Sequence, residues 1–438
     1  YVIATSVATG VMFGMAPARL LVLRANGGAA LTRATRATAG PAAWRYRAAL
    51  VGVNVMLSMV LLVASGLLVR SFTSMLKVDP GFNPRGVLTM ELDLSGPAYN
   101  DVAKSAGFYE RLAQSLASLP GVDAVGASTN LPLTASIDQW SITIEGRPLA
   151  NPAEAPEADR MGVAGNYFAA MAIPLLRGRV FNDGDGPGAP PVVVIGKTMA
   201  ARLWPGEDPI GRRIKLAGGP NNPLRTIVGV VGDVRHYGLD LPATNQAYMP
   251  QSQAPWQQTS MTMLIRARSG IDPWSLAAVA RERVKAIDAA QPVIRVRSYE
   301  TIVSTLMATR RFTLGLLAAF AATALLLAVV GLYGALSYVV TQRQREIGVR
   351  VALGAARRDI RRLVMTQGLT PVGIGMVVGL VLSAGAGRLI GTMLFGVTPT
   401  DAATYGAALG AMILSATLAC LLPARRAMRV DPAVTLRT

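Results

Sequence analysis

Two charge-free apolar runs, residues 48–69 and 312–340, constrain this chain more than any other feature. Both exceed the ~20 residues that cross ~30 Å of hydrocarbon as a helix. Hydrocarbon offers no partner to a backbone amide or carbonyl, so such a run closes its hydrogen bonds internally, as a helix does. Three further apolar stretches, 1–16, 369–396 and 403–422, are candidates for the same fate. The remaining charge follows these runs. Residues 17–47, 341–367 and 423–438 together hold 17 basic and 3 acidic residues, whereas 70–311 holds 25 basic and 21 acidic ones. A nucleic-acid binder concentrates its charge on a folded domain. Here it sits on short connections beside apolar helices, which is how cytoplasmic loops of membrane proteins are marked.

Placing the basic segments in the cytoplasm gives one consistent topology. Residues 1–16 end inside, 48–69 go out, 312–340 return, 369–396 go out and 403–422 return. Residues 70–311 then form one extracytoplasmic domain, 341–367 a cytoplasmic loop or helix, and 423–438 a cytoplasmic tail. The expected fold class is a multi-pass α-helical membrane protein with a large α+β extracytoplasmic domain. Pro-free sequence over 44–77 and 299–340 also permits two helices that run beyond the bilayer, roughly 50 and 63 Å at ~1.5 Å per residue.

The stretch 369–396 is rich in glycine. Gly375 and Gly379 have the GxxxG spacing that lets a second helix approach closely. Arg388 lies toward its outer end, where a long basic side chain can snorkel to the interface. The start of the chain resembles its end: Pro17-Ala18-Arg19 parallels Pro423-Ala424-Arg425, and GGAALTR at 27–33 parallels PAVTLR at 432–437. This reads as an internal repeat. Residues 1–16 would be the last transmembrane helix of a preceding, truncated unit, and 17–47 a cytoplasmic basic linker.

The region 70–311 alternates between strand and helix signals. Strand-like runs occur at 87–94, 140–145, 191–195, 226–234 and 261–268, and helical patterns at 100–119, 197–204 and 273–289. Asp272-Pro273 suits the start of the last helix. Turn clusters at 182–190 and 217–223 divide the region into as many as two small subdomains. The only cysteine, Cys420, lies in an apolar run, so no intrachain disulfide staples the domain.

The chemical inventory is sparse. His236 is the only histidine, too few for a multi-histidine metal site. It follows a strand signal in GDVRH and reads as a structural or loop residue, not as the base of a triad with Asp233. Gly196-Lys197-Thr198 looks like the end of a phosphate-binding loop, but the earlier glycine that the motif needs is Pro191. No catalytic residues, metal ligands or bound cofactor are expected. The chain is read as lacking its own ATPase, with no charged residue lining a mid-membrane path.

In the cytoplasmic stretch 341–367, Ile360, Leu363 and Val364 have the spacing of a short amphipathic helix. Just before them stands REIGVRVALGA, residues 345–355. This string closely resembles the REIGxxRAxGA signature of FtsX/MacB-type ABC transporter permeases. The ending LPARRAMRVDPAVTLR, 422–437, resembles that family's C-terminal string. NYFAAMAIPLLRGRVF (166–181), RLWPGEDPIGRRIKL (202–216), VGVVGDVRHYGL (228–239), YMPQSQ (248–253) and VDPGFNP (78–84) resemble its MacB-type periplasmic core domain. The resemblance covers essentially the whole chain and is nearest to the duplicated acidobacterial-type permeases. Val351 and Thr435 stand where other members often carry Met and Ala.

The resemblance implies a four-helix permease unit coupled to a separate cytosolic ABC ATPase, which would bind the ATP and Mg. Arg345, Glu346, Gly348, Arg350, Gly354 and Ala355 would form the ATPase contact, with Gly348 and Gly354 allowing a tight bend. Further partners implied are membrane lipid, a second permease unit (in the same full-length chain or as a homodimer) and a periplasmic adaptor. The bacterial inner membrane is the expected location. Two functions remain open: export or efflux, and non-transporting signal transmission that controls a periplasmic hydrolase or senses an envelope ligand.

Overall fold

The computed structural model describes residues 41–134, 138–147, 151, 154–216, 222–254, 258–342 and 356–427. The chain divides into two compact units, one of residues 1–73 and 313–438, the other of 74–312.

Helices α1 (Pro41–Leu76), α6 (Tyr299–Gln342), α7 (Arg357–Leu389) and α8 (Ala402–Ala427) each contain a segment long and apolar enough to cross a membrane. Within the first unit they bury a common core of small and aliphatic residues: Val55, Met59, Val63 and Leu67 from α1, Leu332 and Leu336 from α6, Val372 from α7, and Met412 and Ala416 from α8. The wide remaining faces of α6 and α7 are exposed apolar surface, as Phe320, Leu327, Ile374 and Val381 show. Water would not tolerate such surface and lipid does.

The long-helix expectation for 44–77 and 299–340 agrees with α1 and α6. The stretch 369–396 differs at both ends. Its helix starts at Arg357, so the supposed surface helix around Ile360–Val364 is the first part of α7, and it stops at Leu389. After Leu389 a short 3-10 turn at Gly391–Met393 and the left-handed Gly396 (φ 66°) turn the chain back. Helix α8 likewise runs past Pro423 to Ala427. Residues 1–40, the coupling motif at 343–355 and the tail 428–438 lie outside the described residues.

The second unit carries strands β1 (Val87–Asp93), β2 (Val122–Ser128), β3 (Asp138–Ile144), β4 (Glu157–Gly165), β5 (Leu175–Gly178), β6 (Val192–Gly196), β7 (Arg213–Leu216), β8 (Arg225–Val231), β9 (Gln246–Pro250), β10 (Ser260–Ala267) and β11 (Val293–Ser298). Its helices are α2 (Val102–Ala117), α3 (Tyr167–Met171), α4 (Lys197–Leu203) and α5 (Ala277–Ile287). All eleven strands hydrogen-bond into one sheet, ordered β11-β1-β10-β2-β4-β3-β7-β8-β6-β9 with β5 on β8.

That sheet has two cores. Strands β11, β1, β10 and β2, with α2 after β1 and α5 after β10, make a split βαβ layout. Phe108, Tyr109, Leu112 and Leu116 of α2 repeat at helical spacing and bury against Met90, Met263 and Ile265. Asp101 starts α2 by accepting from Ala103 N, and Asp272 accepts from Trp274 N ahead of α5. The segment between β2 and β10 forms the second core. There β9 pairs in parallel with β4, closing β4-β3-β7-β8-β6-β9 into a ring. Ile142, Val193, Ile195, Ile214, Ile227 and Met249 pack inside it with Met199 and Trp204. The two lobes expected from the turn clusters are therefore two cores joined through β4, which pairs with β2 over Val163–Gly165 and with β3 over Glu157–Arg160.

Candidate functional site: the helix contacts and the domain collar

Arg345, Glu346, Gly348, Arg350, Gly354 and Ala355 lie outside the described residues, between the end of α6 at Gln342 and Ala356, which precedes α7. What the structure describes is the helix that leaves this stretch and what it touches. Helix α7 meets α1 through small residues. A Cβ added to Gly375 would lie 2.5 Å from the Gly52 carbonyl oxygen and 3.0 Å from Val55 Cβ. One added to Gly379 would lie 2.7 Å from Met59 Cβ and 3.0 Å from the Met56 carbonyl oxygen. Both are closer than side chains allow, so the approach requires glycine at both positions. Sequence periodicity singled out these two glycines but not Gly52, their counterpart in a run with no GxxxG spacing of its own.

Polar atoms tie the same helices at single points. Ser58 Oγ donates to the carbonyl oxygens of Asn54 (2.8 Å) and of Ala324 on α6 (2.9 Å). Ser65 Oγ donates to Leu317 O at 3.2 Å. At the other end of α1, Arg70 pairs with Asp401, and Ser71 Oγ accepts from Phe395 N at 2.8 Å. Asp401 also accepts from Thr404 N and Oγ1, and these bonds, with help from Arg70, hold its carboxyl below the usual range. Sequence reasoning treated Asp401 only as a charge balancing Arg388. The findable signal was that Asp401 is the sole acidic residue between two apolar runs, while Arg70 closes a third. Arg388 itself is exposed in the last turn of α7.

In the second unit, the ends of α1 and α6 meet a collar built from the motifs of the domain. Gly81 (φ 81°) sits where a Cβ would fall 1.8 Å from Asp233 O, so VDPGFNP lies directly on GDVRH. Arg235 N donates to Pro80 O, and Asn83 N to Met171 O, both at 2.9 Å. Arg266 gathers the loop further, donating to Asn83 O, Arg85 O and Ala170 O. Phe82 stacks edge-on against Tyr299, the first residue of α6, at 5.3 Å. Three turns along α6, Arg310 pairs with Asp240 at 2.6 Å. Burial works to raise the Asp240 pKa, but the Arg310 hydrogen bond outweighs it and the carboxyl is lowered.

The two chemically suggestive strings are absorbed by this architecture. Asp233 accepts from Thr198 N (2.7 Å) and Thr198 Oγ1 (2.8 Å) at the start of α4. A carboxylate thus occupies the place a phosphate would take at Gly196-Lys197-Thr198. His236 is 2% exposed, and neither ring nitrogen has a hydrogen-bond partner. Burial pushes its pKa down to about 4, against the pull of nearby Asp159. Asp159 is itself fully buried and accepts from Tyr237, Thr244 and Gln139. No group of three or more His, Cys, Asp or Glu that could hold a metal ion occurs among the described residues.

Against known families, residues 49–283 match the MacB-like periplasmic core domain and residues 318–432 the FtsX-like permease C-terminal region. A macrolide export ATP-binding/permease protein MacB from Marinobacter nauticus is 27% identical over 272 residues, 61% of this chain and 41% of that protein. A pyoverdine export ATP-binding/permease protein PvdT from Pseudomonas syringae pv. tomato is 31% identical over 291 residues, 63% and 42% of the two chains. The alignments thus span well under half the length of these relatives. Among solved structures, the periplasmic region of MacB from Actinobacillus actinomycetemcomitans is 15% identical, covering 53% of this chain and 97% of its own, with a TM-score of 0.34.

Proposed function

Because this chain belongs to the permeases with a MacB-like periplasmic core domain and an FtsX-like C-terminal region, we propose that it is the transmembrane component of an ABC exporter. A separate cytosolic ATPase binds ATP and Mg, docks on Arg345, Glu346 and Arg350, and drives movements of the periplasmic domain for export or efflux. A second permease unit completes the assembly in the inner membrane, and a periplasmic adaptor extends it outward. The chain itself contributes no nucleotide chemistry. It binds, positions and transmits.

The observation that carries this reading is helix continuity. Helix α7 starts directly beside the coupling stretch and packs on α1 through Gly375 and Gly379. Helices α1 and α6 then run unbroken through the residues that separate the two units. A displacement at the start of α7 therefore reaches α1 through backbone and close packing, which yield little. The apolar spans hold no charge to line a substrate path.

The test is Glu346→Arg. An exposed charge contributes about 0–1 kcal/mol to folding, whereas like charges opposed across an interface cost several kcal/mol. The variant should insert normally yet lose pull-down of the ATPase and permease-stimulated phosphate release, while Arg362→Glu keeps both. Wild-type assembly and stimulation in Glu346→Arg would refute the docking role.

A further inference from the structure

The first unit contains an apolar groove of about 550 Å³ between α1 and α7. Its floor is built of small residues, Ala48, Ala49 and Gly52 on α1 and Gly375 on α7, and its walls of Val53, Met56, Ile374 and Val378. The groove exists because the glycines that bring the helices together leave no side chains to fill the cleft beside the contact. Pro371 lines it too and, lacking an N–H, leaves the Gln367 carbonyl without its usual helical donor. Val53 is 46% and Ile374 61% exposed, so the groove opens sideways, toward lipid.

Its inner end is basic. Contact of Gly375 with Gly52 and Val55 sets α1 and α7 side by side in parallel. Position 45 of α1 then shares, by helical spacing, the face of Ala48, Ala49, Gly52 and Met56, and is an arginine. Arg47 follows it. The first two turns of α7 bring Arg357, Arg358, Arg361 and Arg362 against a single acidic residue, Asp359. A long apolar slot ending in a cationic mouth matches an acyl chain that carries an anionic head. Basic clefts between transmembrane helices on the cytoplasmic side bind such headgroups.

We propose that this groove is a binding site for one anionic phospholipid of the inner leaflet, its acyl chain between α1 and α7 and its phosphate at Arg45 and Arg47. The site borders the Gly375 contact, so its occupant wedges or releases the helix pair that links the coupling stretch to α1. Only the choice of leaflet rests on the periplasmic assignment of the second unit. The binding needs neither ATPase nor transported substrate.

The full chain, purified and depleted of lipid, is incubated with equal amounts of phosphatidylglycerol and phosphatidylethanolamine, and bound lipid is counted by native mass spectrometry. Phosphatidylglycerol should be retained in several-fold excess. Arg45→Gln and Arg47→Gln should each lower its retention about five-fold, the effect of about 1 kcal/mol per basic residue near an anionic surface, and leave phosphatidylethanolamine unchanged. Ala49→Phe, which fills the mouth of the groove, should lower phosphatidylglycerol retention with the charges intact, while circular dichroism shows unchanged helix content. Equal retention of the two lipids by the wild type overturns the proposal. So does a preference that survives Ala49→Phe, which would place the lipid on the basic segment outside the groove. A failure of ATPase docking leaves every one of these readings unaffected.

Discussion

At the scale of single residues, burial decides what the polar groups of the domain can do. His236 would attract notice in any catalytic search, as the only histidine beside Asp233 in a motif. It is instead enclosed without a donor or acceptor, and its neutral form is favoured. Its folded pKa of about 4 lies below the usual ~6.5. The unfolded chain therefore binds the extra proton first, and stability falls as pH drops through that window. The loss should reach about 3 kcal/mol at its lower end. Denaturant unfolding of wild type and His236→Gln at pH 7 and pH 4.5 measures it as the difference in pH dependence. Equal slopes for the two proteins would contradict the buried, neutral histidine. The Gly196-Lys197-Thr198 string teaches the same lesson. Its spacing already spoke against a phosphate loop, but the reason for a threonine there, the bidentate hold of Asp233, involves a residue 35 positions away and could not be read locally.

At the scale of elements, helix boundaries were legible where composition alone sets them. Charge-free length gave α1 and α6, and alternation gave β1, β6, β8 and β10. Strands β4 and β9 escaped notice because β4 is buried on nearly every position and so shows no alternation, and β9 is five residues long. The surface helix at 360–364 merged with α7 because the helix passes through Pro371 without stopping, which membrane helices tolerate when neighbours and Ser/Thr side chains meet the freed groups. The pairing of α1 with α7 gives an ordered set of costs. Gly375→Leu and Gly379→Leu should each destabilise the helix bundle by about 1–3 kcal/mol through overpacking, and Ser58→Ala by about 0.6 kcal/mol, the mean for an interhelical hydrogen bond. Thermal or detergent unfolding that ranked Ser58→Ala above both glycine variants would show that polar ties, not close packing, hold the pair. In the collar, Arg310→Ala should cost under about 1 kcal/mol of stability, because the pair is half exposed.

At the scale of the whole molecule, the chain is a multi-pass membrane protein with a MacB-like periplasmic core domain. Its topology was readable from charge placement, whereas the ring closure of β4 by β9 was not, since nothing in either strand announces a parallel partner some 85 residues away. In a Cys420→Ala background, Lys104→Cys should react with an impermeant thiol reagent on intact cells, and Thr341→Cys only after lysis. The reverse pattern would invert the protein in the membrane. Pro371 gives the molecule a mechanical proportion. It divides α7 into an inner arm of 14 residues from Arg357 and an outer arm of 18 residues to Leu389, roughly 21 and 27 Å at ~1.5 Å per residue. Proline removes a hydrogen bond at that point alone, which makes it the fulcrum of a lever. A swing of the inner arm about it is magnified by about a quarter at the outer tip. The position of one proline thereby sets the gearing between the two faces of the membrane.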